Sequence, residues 1–222
     1  MKSEVLEVDI GLLTAAHELK SPLSLLRQLA LSLEFTENST NITNQMVQIS
    51  DRALSQIDDL LKVAHLENGL FNLEPVNPRA VCDSVIGANL NSRANIKVIF
   101  RNRRHLVIAN STLLRSIVSN FLENARKYGE TTQLSISDYK SKVRISIRDR
   151  GPALPINIWR AINQNAISAP LPTPLRPGSS GLGLFISTRF AAHMNAEIEA
   201  TRHHDGTSFH LDLPISGQLS LC

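Results

Sequence analysis

A chain of 222 residues, 42% hydrophobic and 19% charged, is long enough for a buried core and too apolar for a disordered polypeptide. The formal net charge of +3 and a pI near 9.1 raise the question of a nucleic-acid partner, but the basic residues are scattered. The one local cluster, Arg101, Arg103 and Arg104, reads as a solvated strand end or turn, so no nucleic-acid partner is expected.

Cys82 and Cys222 lie far apart without zinc-binding spacing, which fits a reducing, cytoplasmic setting. No apolar run approaches the roughly 20 residues of a membrane span, and no signal-peptide pattern is present, so no membrane segment is expected. Met1 lies sixteen residues before His17, which leaves open a soluble protein or the cytoplasmic end of a longer receptor.

Leu12, Ala16, Leu19, Leu23, Leu26, Ala30 and Leu33 recur at spacings of four and three, the seam of a coiled-coil-like helix over residues 5–36. Pro22 falls inside it, where it removes a backbone donor and predicts a kink. A polar link, Thr36 to Thr43, precedes a second seam of Met46, Ile49, Ala53, Ile57, Leu60 and Ala64, which ends near Asn68-Gly69. One helical hairpin cannot bury two such seams. Pairing two copies gives a four-helix bundle, so a homodimer through residues 5–68 is expected.

From Pro75 onward the pattern changes. Asn77-Pro78 reads as a helix start, with a capping side chain and a proline at the first helical position. Helices are expected at about 78–93, 111–127 and 182–193. Strands are expected at 96–100, 106–109, 133–137, 143–148, 196–201 and 207–213, with His203-His204-Asp205-Gly206 as a hairpin turn. The fold class is therefore α+β: a helical hairpin over residues 1–70, then an α/β sandwich over 71–222 with helices on one face of a mixed sheet. Within the sandwich region, Asn163 to Ser180 holds Pro170, Pro172, Pro174 and Pro177 and reads as a long irregular loop.

Several side chains in this framework carry chemistry. His17 follows the seam position Ala16, which puts its ring at the flank of the bundle. A neutral imidazole nitrogen is a competent nucleophile, and Glu18 beside it is a base or an orienting group. Ser21 lies one turn later on the same face. Its hydroxyl can satisfy backbone groups loosened by Pro22.

On the helix at 111–127, Asn120, Asn124 and Lys127 cluster beside an apolar arc of Leu113, Leu114, Ile117, Val118, Phe121, Leu122 and Ala125. Amide oxygens can ligate Mg²⁺ and a lysine can neutralise phosphate, although a solvated amide face would give the same spacing. Asp149 ends a strand before the turn Arg150-Gly151-Pro152. A carboxylate there can accept the amino group of adenine, a donor that guanine lacks at that position. Gly181-Leu182-Gly183 opens a helix, where exposed amides and the helix dipole favour phosphate.

Four segments occur in a telling order: His17-Glu18-Leu19-Lys20-Ser21-Pro22, Asn120-Phe121-Leu122-Glu123-Asn124-Ala125-Arg126-Lys127-Tyr128, Asp149-Arg150-Gly151, and Gly178-Ser179-Ser180-Gly181-Leu182-Gly183. Together they resemble the H, N, G1 and G2 boxes of the sensor histidine kinases of two-component systems, over nearly the whole chain.

The resemblance implies a catalytic domain of the histidine kinase, gyrase and chaperone ATPase type, with ATP and Mg²⁺ as cofactors. It assigns His17 as the autophosphorylation site, Asn124 as the Mg²⁺ ligand, and Asn120, Lys127 and Tyr128 as nucleotide-lining residues. Asp149 and Gly151 recognise adenine in this scheme, and Gly178, Gly181, Leu182 and Gly183 surround the phosphates. A response-regulator receiver domain is the implied partner, and Ser21 is implied in its dephosphorylation.

Ala153 replaces the second glycine expected in the G1 box. No phenylalanine stands where the family often has an aromatic box, and Trp159 nearby reads as a core anchor. These departures motivate a second reading, a catalytically weak nucleotide-binding module or a phosphatase-only relative. A free-standing ATPase of the same superfamily would have no use for the helical hairpin.

Overall fold

A computed structural model describes residues 19, 22, 24–26, 28–29, 39–66, 70–88, 96–101, 105–129, 131–171 and 181–219. The chain divides into two compact units, Met1–His65 with Ala169–Phe185, and Leu66–Ser168 with Ile186–Cys222.

In the first unit the backbone is helical at Leu19, Pro22, Ser24, Leu25, Leu26, Gln28 and Leu29. Leu19, Pro22, Leu26 and Leu29 are half-buried, a three-four-three spacing, whereas Ser24, Leu25 and Gln28 are exposed. Helix α1 runs Ser39–His65. The expected polar link is thus shorter than its composition indicates, because Ser39 to Thr43 already lie in the helix. Serine, threonine and asparagine disfavour helix interiors only mildly and are at home in a first turn. On α1, Met46, Ile49, Ile57 and Leu60 are half-buried and Ala53 is buried, as the seam predicts.

The second unit is built on a mixed seven-stranded sheet. Its strands are β1 (Glu74–Val76), β2 (Ile96–Arg101), β3 (His105–Ala109), β4 (Thr132–Tyr139), β5 (Lys142–Asp149), β6 (Glu197–His203) and β7 (Gly206–Leu219). The order is β1-β3-β7-β5-β4-β2, with β6 also paired to β7, and only β2 and β4 run parallel. The fourteen-residue β7 is twice the expected length. It pairs β5 and β6 first, then continues past Pro214 to meet β3.

Alternation along β5 buries Val143, Ile145, Ile147 and Asp149 on one face and turns Arg144, Ser146 and Arg148 to the other. On the buried face lies α3 (Ser111–Tyr128), whose Leu113, Leu114, Ile117, Val118, Phe121, Leu122 and Ala125 are all buried, as the arc predicts. Phe121 stacks on Phe209 of β7, ring centroids 5.1 Å apart. Asn110 caps α3, its Oδ1 accepting from the amides of Thr112 and Leu113 at 3.1 and 3.2 Å.

Helix α2 (Pro78–Ala88) starts where Asn77-Pro78 predicts, with Asn77 Oδ1 accepting from the Arg79 amide at 3.0 Å. Residues 89–93, the expected continuation of α2, lie outside the described residues, as do Arg103, Arg104, Asn68 and Gly69. Burial pushes the α2 thiol of Cys82 up to about 12, which makes it an inert core group.

Two elements were not expected. The first is the short edge strand β1. The second is α4 (Ile156–Asn163), which packs on β6. The Asn163 side-chain amide donates to the Ala200 carbonyl at 3.0 Å and accepts from its N–H at 2.9 Å. Trp159 Nε1 donates to the same carbonyl at 2.8 Å. One amide side chain thereby closes the outer edge of β6.

The opposite face of the sheet carries an ionic network. Arg144 donates in bidentate fashion to Asp212, at 2.6 Å for both contacts, and also to Glu199 at 2.5 Å, under the ring of Tyr139. Burial works against the Arg144 charge, but Asp212 and Glu199 outweigh it and hold the guanidinium protonated. His210 sits between Ser146 Oγ at 2.8 Å and Thr201 Oγ1 at 3.0 Å.

Candidate functional site

Asp149 is only 1% exposed, at the last position of β5. Its place follows from parity: it continues the inward series Val143, Ile145, Ile147, so a carboxylate stands where a strand would otherwise put an aliphatic residue. Burial of that kind requires hydrogen-bond partners. The amide of Thr207 supplies one, donating to Asp149 Oδ1 at 3.1 Å. Thr207 is itself fully buried, and its Oγ1 accepts from the Leu154 amide at 3.0 Å. This residue therefore links the end of β5, the start of β7 and the segment after Gly151.

Two glycines complete the surroundings of Asp149. A Cβ on Gly129, at the C-terminus of α3, would come within 2.8 Å of Asp149 Cβ and 2.9 Å of the Arg150 nitrogen. Gly206 has φ +146°, and a Cβ there would lie 2.2 Å from the Asp149 carbonyl oxygen and 3.0 Å from its Oδ1. Only glycine permits both approaches. Gly151 follows in a half-buried bend, with Ala153 half-buried after it.

On α3, Asn120 and Asn124 are half-buried and lie one turn apart. Asn120 Nδ2 donates to Ser187 Oγ at 2.8 Å, and Asn124 Nδ2 approaches Asn120 Oδ1 at 3.5 Å. With its nitrogen turned toward Asn120, Asn124 presents its amide oxygen as the remaining polar atom, the ligand type a hard divalent cation prefers. Among the described residues no group of three His, Cys, Asp or Glu side chains could hold a metal. The donor set fits a Mg²⁺ ion held by one amide oxygen and by phosphate oxygens, not an all-protein cage. Lys127 is exposed in the last turn of α3; the side chain of Tyr128 lies outside the described residues.

The glycine pair belongs to the first unit. Gly181 is buried with φ +69°, and a Cβ there would lie 2.2 Å from the Leu171 carbonyl oxygen. The Leu171 amide donates to the Gly181 carbonyl at 3.5 Å. Helix α5 (Leu182–His193) begins at the next residue. Leu182 is fully buried and Gly183 half-buried.

The structure thus brings Asn120 and Asn124 together on α3 and sets Asp149 at a strand end beside the C-terminus of that helix. Ser187, Thr207, Gly129 and Gly206 complete the constellation, although sequence reasoning passed over them. Parity could have found Thr207, which shares the inward face of β7 with Phe209, Leu211 and Leu213. His17, Glu18, Ser21 and Gly178 lie outside the described residues.

With this geometry in view, similarity to known proteins defines the class first. Residues 109–217 match the family described as "Histidine kinase-, DNA gyrase B-, and HSP90-like ATPase" and form a domain of that family. More particularly, the chain is homologous to sensor histidine kinases. It is 26% identical over 224 residues to the signal transduction histidine-protein kinase BarA of Escherichia coli strain K12, covering 90% of this chain and 24% of that protein. The chain therefore spans about a quarter of the length of that relative.

Among solved structures, histidine kinase ThkA in complex with the response regulator protein TrrA aligns with a TM-score of 0.67 at 19% identity, over 97% of this chain and 64% of that one. Full-length ShkA in complex with AMPPNP aligns with a TM-score of 0.59 at 21% identity, over 95% of this chain and 47% of that one. At these identities the likeness is one of fold. Among the described residues no helix is long and apolar enough to cross a membrane.

Proposed function

We propose that this chain is the kinase core of a cytoplasmic two-component signalling module, in which residues 71–222 bind ATP and residues 1–70 dimerise and accept the phosphoryl group. The observation that carries this reading is the buried Asp149 carboxylate at a strand end, on the same unit as the Asn120 and Asn124 amides, inside a domain of the ATPase family. Asp149 accepts the 6-amino group of adenine, with Gly151 and the Thr207 contact shaping its surroundings. Asn120, Asn124, Lys127 and Tyr128 line the nucleotide. Gly178 and the amides of Gly181, Leu182 and Gly183 at the start of α5 receive phosphate oxygens. Mg²⁺, when held through Asn124, supplies charge neutralisation for the phosphates.

In the reaction, an imidazole nitrogen of His17 attacks the γ-phosphorus of ATP, the bond to the β,γ-bridging oxygen breaks, and ADP leaves. Glu18 takes or orients the ring proton. Catalysis of this kind is mainly positioning and electrostatic stabilisation. The phosphoryl group then passes to an aspartate on a response-regulator receiver domain, and Ser21 orients water for hydrolysis of that aspartyl phosphate, which releases inorganic phosphate. The AMPPNP bound in ShkA and the TrrA bound to ThkA support an adenine nucleotide and a response regulator as ligand and partner here.

The exposed stripe Val47, Leu54 and Leu61, at 52, 60 and 53% exposure and seven residues apart, supports a homodimer through residues 5–68. The deciding experiment is incubation with γ-labelled ATP. Acid-labile label that is absent from His17→Gln supports the assignment, and equal labelling of the variant overturns it.

A further inference from the structure

The turn between β6 and β7 meets the strand end that carries Asp149 almost residue for residue. Asp205 Oδ1 accepts from Arg148 Nη2 at 2.6 Å, and its Oδ2 lies 3.7 Å from Arg150 Nε. Gly206 rests against the Asp149 backbone and carboxylate, and the Thr207 amide donates to Asp149 Oδ1. Three consecutive residues thus engage another three, and the two arginines ion-paired to Asp205 are those that flank Asp149 in the sequence.

The ladder closes this two-residue turn at His203 and Gly206, and Gly206 at φ +146° occupies a conformation open only to glycine. Beyond the ladder, Asp205 adds a side-chain hold on β5. Strand alternation puts Arg148 on the face of β5 opposite Asp149, so Asp205 grips the strand from one side while Gly206 and Thr207 reach the carboxylate end. Asp205 and Arg148 are each about one-third exposed, a setting in which an ion pair adds little to global stability. Its consequence is local: it adds to the β5–β7 register a side-chain restraint on where the Thr207 amide stands.

We propose that Asp205, acting through Arg148, is a positioning residue for base selection, holding the β6–β7 turn so that Thr207 orients the Asp149 carboxylate toward the 6-amino group of adenine and against the 6-carbonyl of guanine. The proposal rests on the reading of Asp149 as the base-recognition group. Loosening the turn leaves the carboxylate in place but blurs its direction, so discrimination between purines falls more than affinity for phosphates.

The test measures calorimetric affinities for ATP and GTP, with melting temperatures, for wild type, Asp205→Ala, Arg148→Ala, the charge reversal Arg148→Asp with Asp205→Arg, and Asp149→Asn. Each single clamp variant is expected to lower the ATP-over-GTP preference by about fivefold or more, and the reversal to restore most of it. Melting temperatures should stay within about 3 °C of wild type. Equal weakening of both nucleotides, a large drop in melting temperature without a change in preference, or no change at all would overturn the proposal. If Asp149→Asn keeps the preference, the base is read elsewhere and both assignments fall; if only Asp149→Asn abolishes it, the clamp alone falls.

Discussion

Asn120 on α3 donates to Ser187 on α5 across 2.8 Å, and Ser187 is 1% exposed. Both residues belong to the second unit, and the contact sets which way the Asn120 amide faces. Ser187→Ala is expected to weaken nucleotide binding about five- to tenfold, the scale of one neutral hydrogen bond lost from a positioned group. Titration calorimetry with ADP checks this, and Ser187→Thr, which keeps the hydroxyl, should recover part of the loss.

Gly206→Ala should be far more damaging than an ordinary surface change. The added Cβ meets the Asp149 carbonyl oxygen at 2.2 Å in a backbone conformation that side chains avoid. A destabilisation of roughly 3 kcal/mol or more is expected, together with loss of nucleotide binding, and urea denaturation followed by ADP titration measures both. Gly129→Ala should fall in the same direction, since its neighbours are Asp149 Cβ and backbone atoms that have little freedom to yield.

Asn163→Ala removes the two hydrogen bonds its amide makes to Ala200, taking that acceptor from the N–H and leaving the carbonyl with the Trp159 donor. A loss of about 1–3 kcal/mol in unfolding free energy is expected. Asn163→Asp should be intermediate, because a carboxylate can still accept from the Ala200 N–H but cannot donate to its carbonyl. Denaturant midpoints of the two variants rank these contributions.

Acid should weaken the domain through His210. Burial first, and the Arg144 guanidinium second, lower its pKa to about 4 from an ordinary 6.5. The folded state thus holds a neutral ring, while the unfolded chain takes up a proton below about 6.5. The stability this contributes is complete above the unfolded value and is lost as pH falls from 6.5 toward 4. Between pH 7 and 4.5 the loss is on the order of 2 kcal/mol. In His210→Asn, denaturation curves should show a correspondingly flatter pH dependence over that window.

Leu54→Lys places a charge in the middle of the exposed stripe Val47, Leu54, Leu61. If that stripe is the dimer seam, the variant should elute as a monomer in light-scattering chromatography at concentrations where wild type is dimeric, while helicity by circular dichroism is largely kept.

Where local pattern and tertiary packing agree, the residues announced their structure. The apolar arc of α3 and the Val143-Ile145-Ile147 alternation recover a helix and a strand within a residue or two, and Asp149 falls out of the same alternation. Asn77-Pro78 located a helix start because cap and proline act within one turn.

The features that stayed hidden depend on partners far away in the chain. Thr207 meets Asp149 only through the β5–β7 register, and Ser187 meets Asn120 only because α5 packs beside α3. Helix α4 is eight residues long, so its buried pair Ile158 and Ile162 is too short a repeat to stand out, and its bonds to Ala200 depend on a distant strand. Ser39 to Thr43 look like a link because polar composition marks both turns and first helical turns.

The backbone contact between Leu171 and Gly181 works as a clasp. Its glycine half admits no side chain, because any Cβ at Gly181 would press on the Leu171 carbonyl oxygen in a left-handed backbone conformation. The first turn of α5 is therefore keyed by a residue whose whole contribution is the atom it lacks.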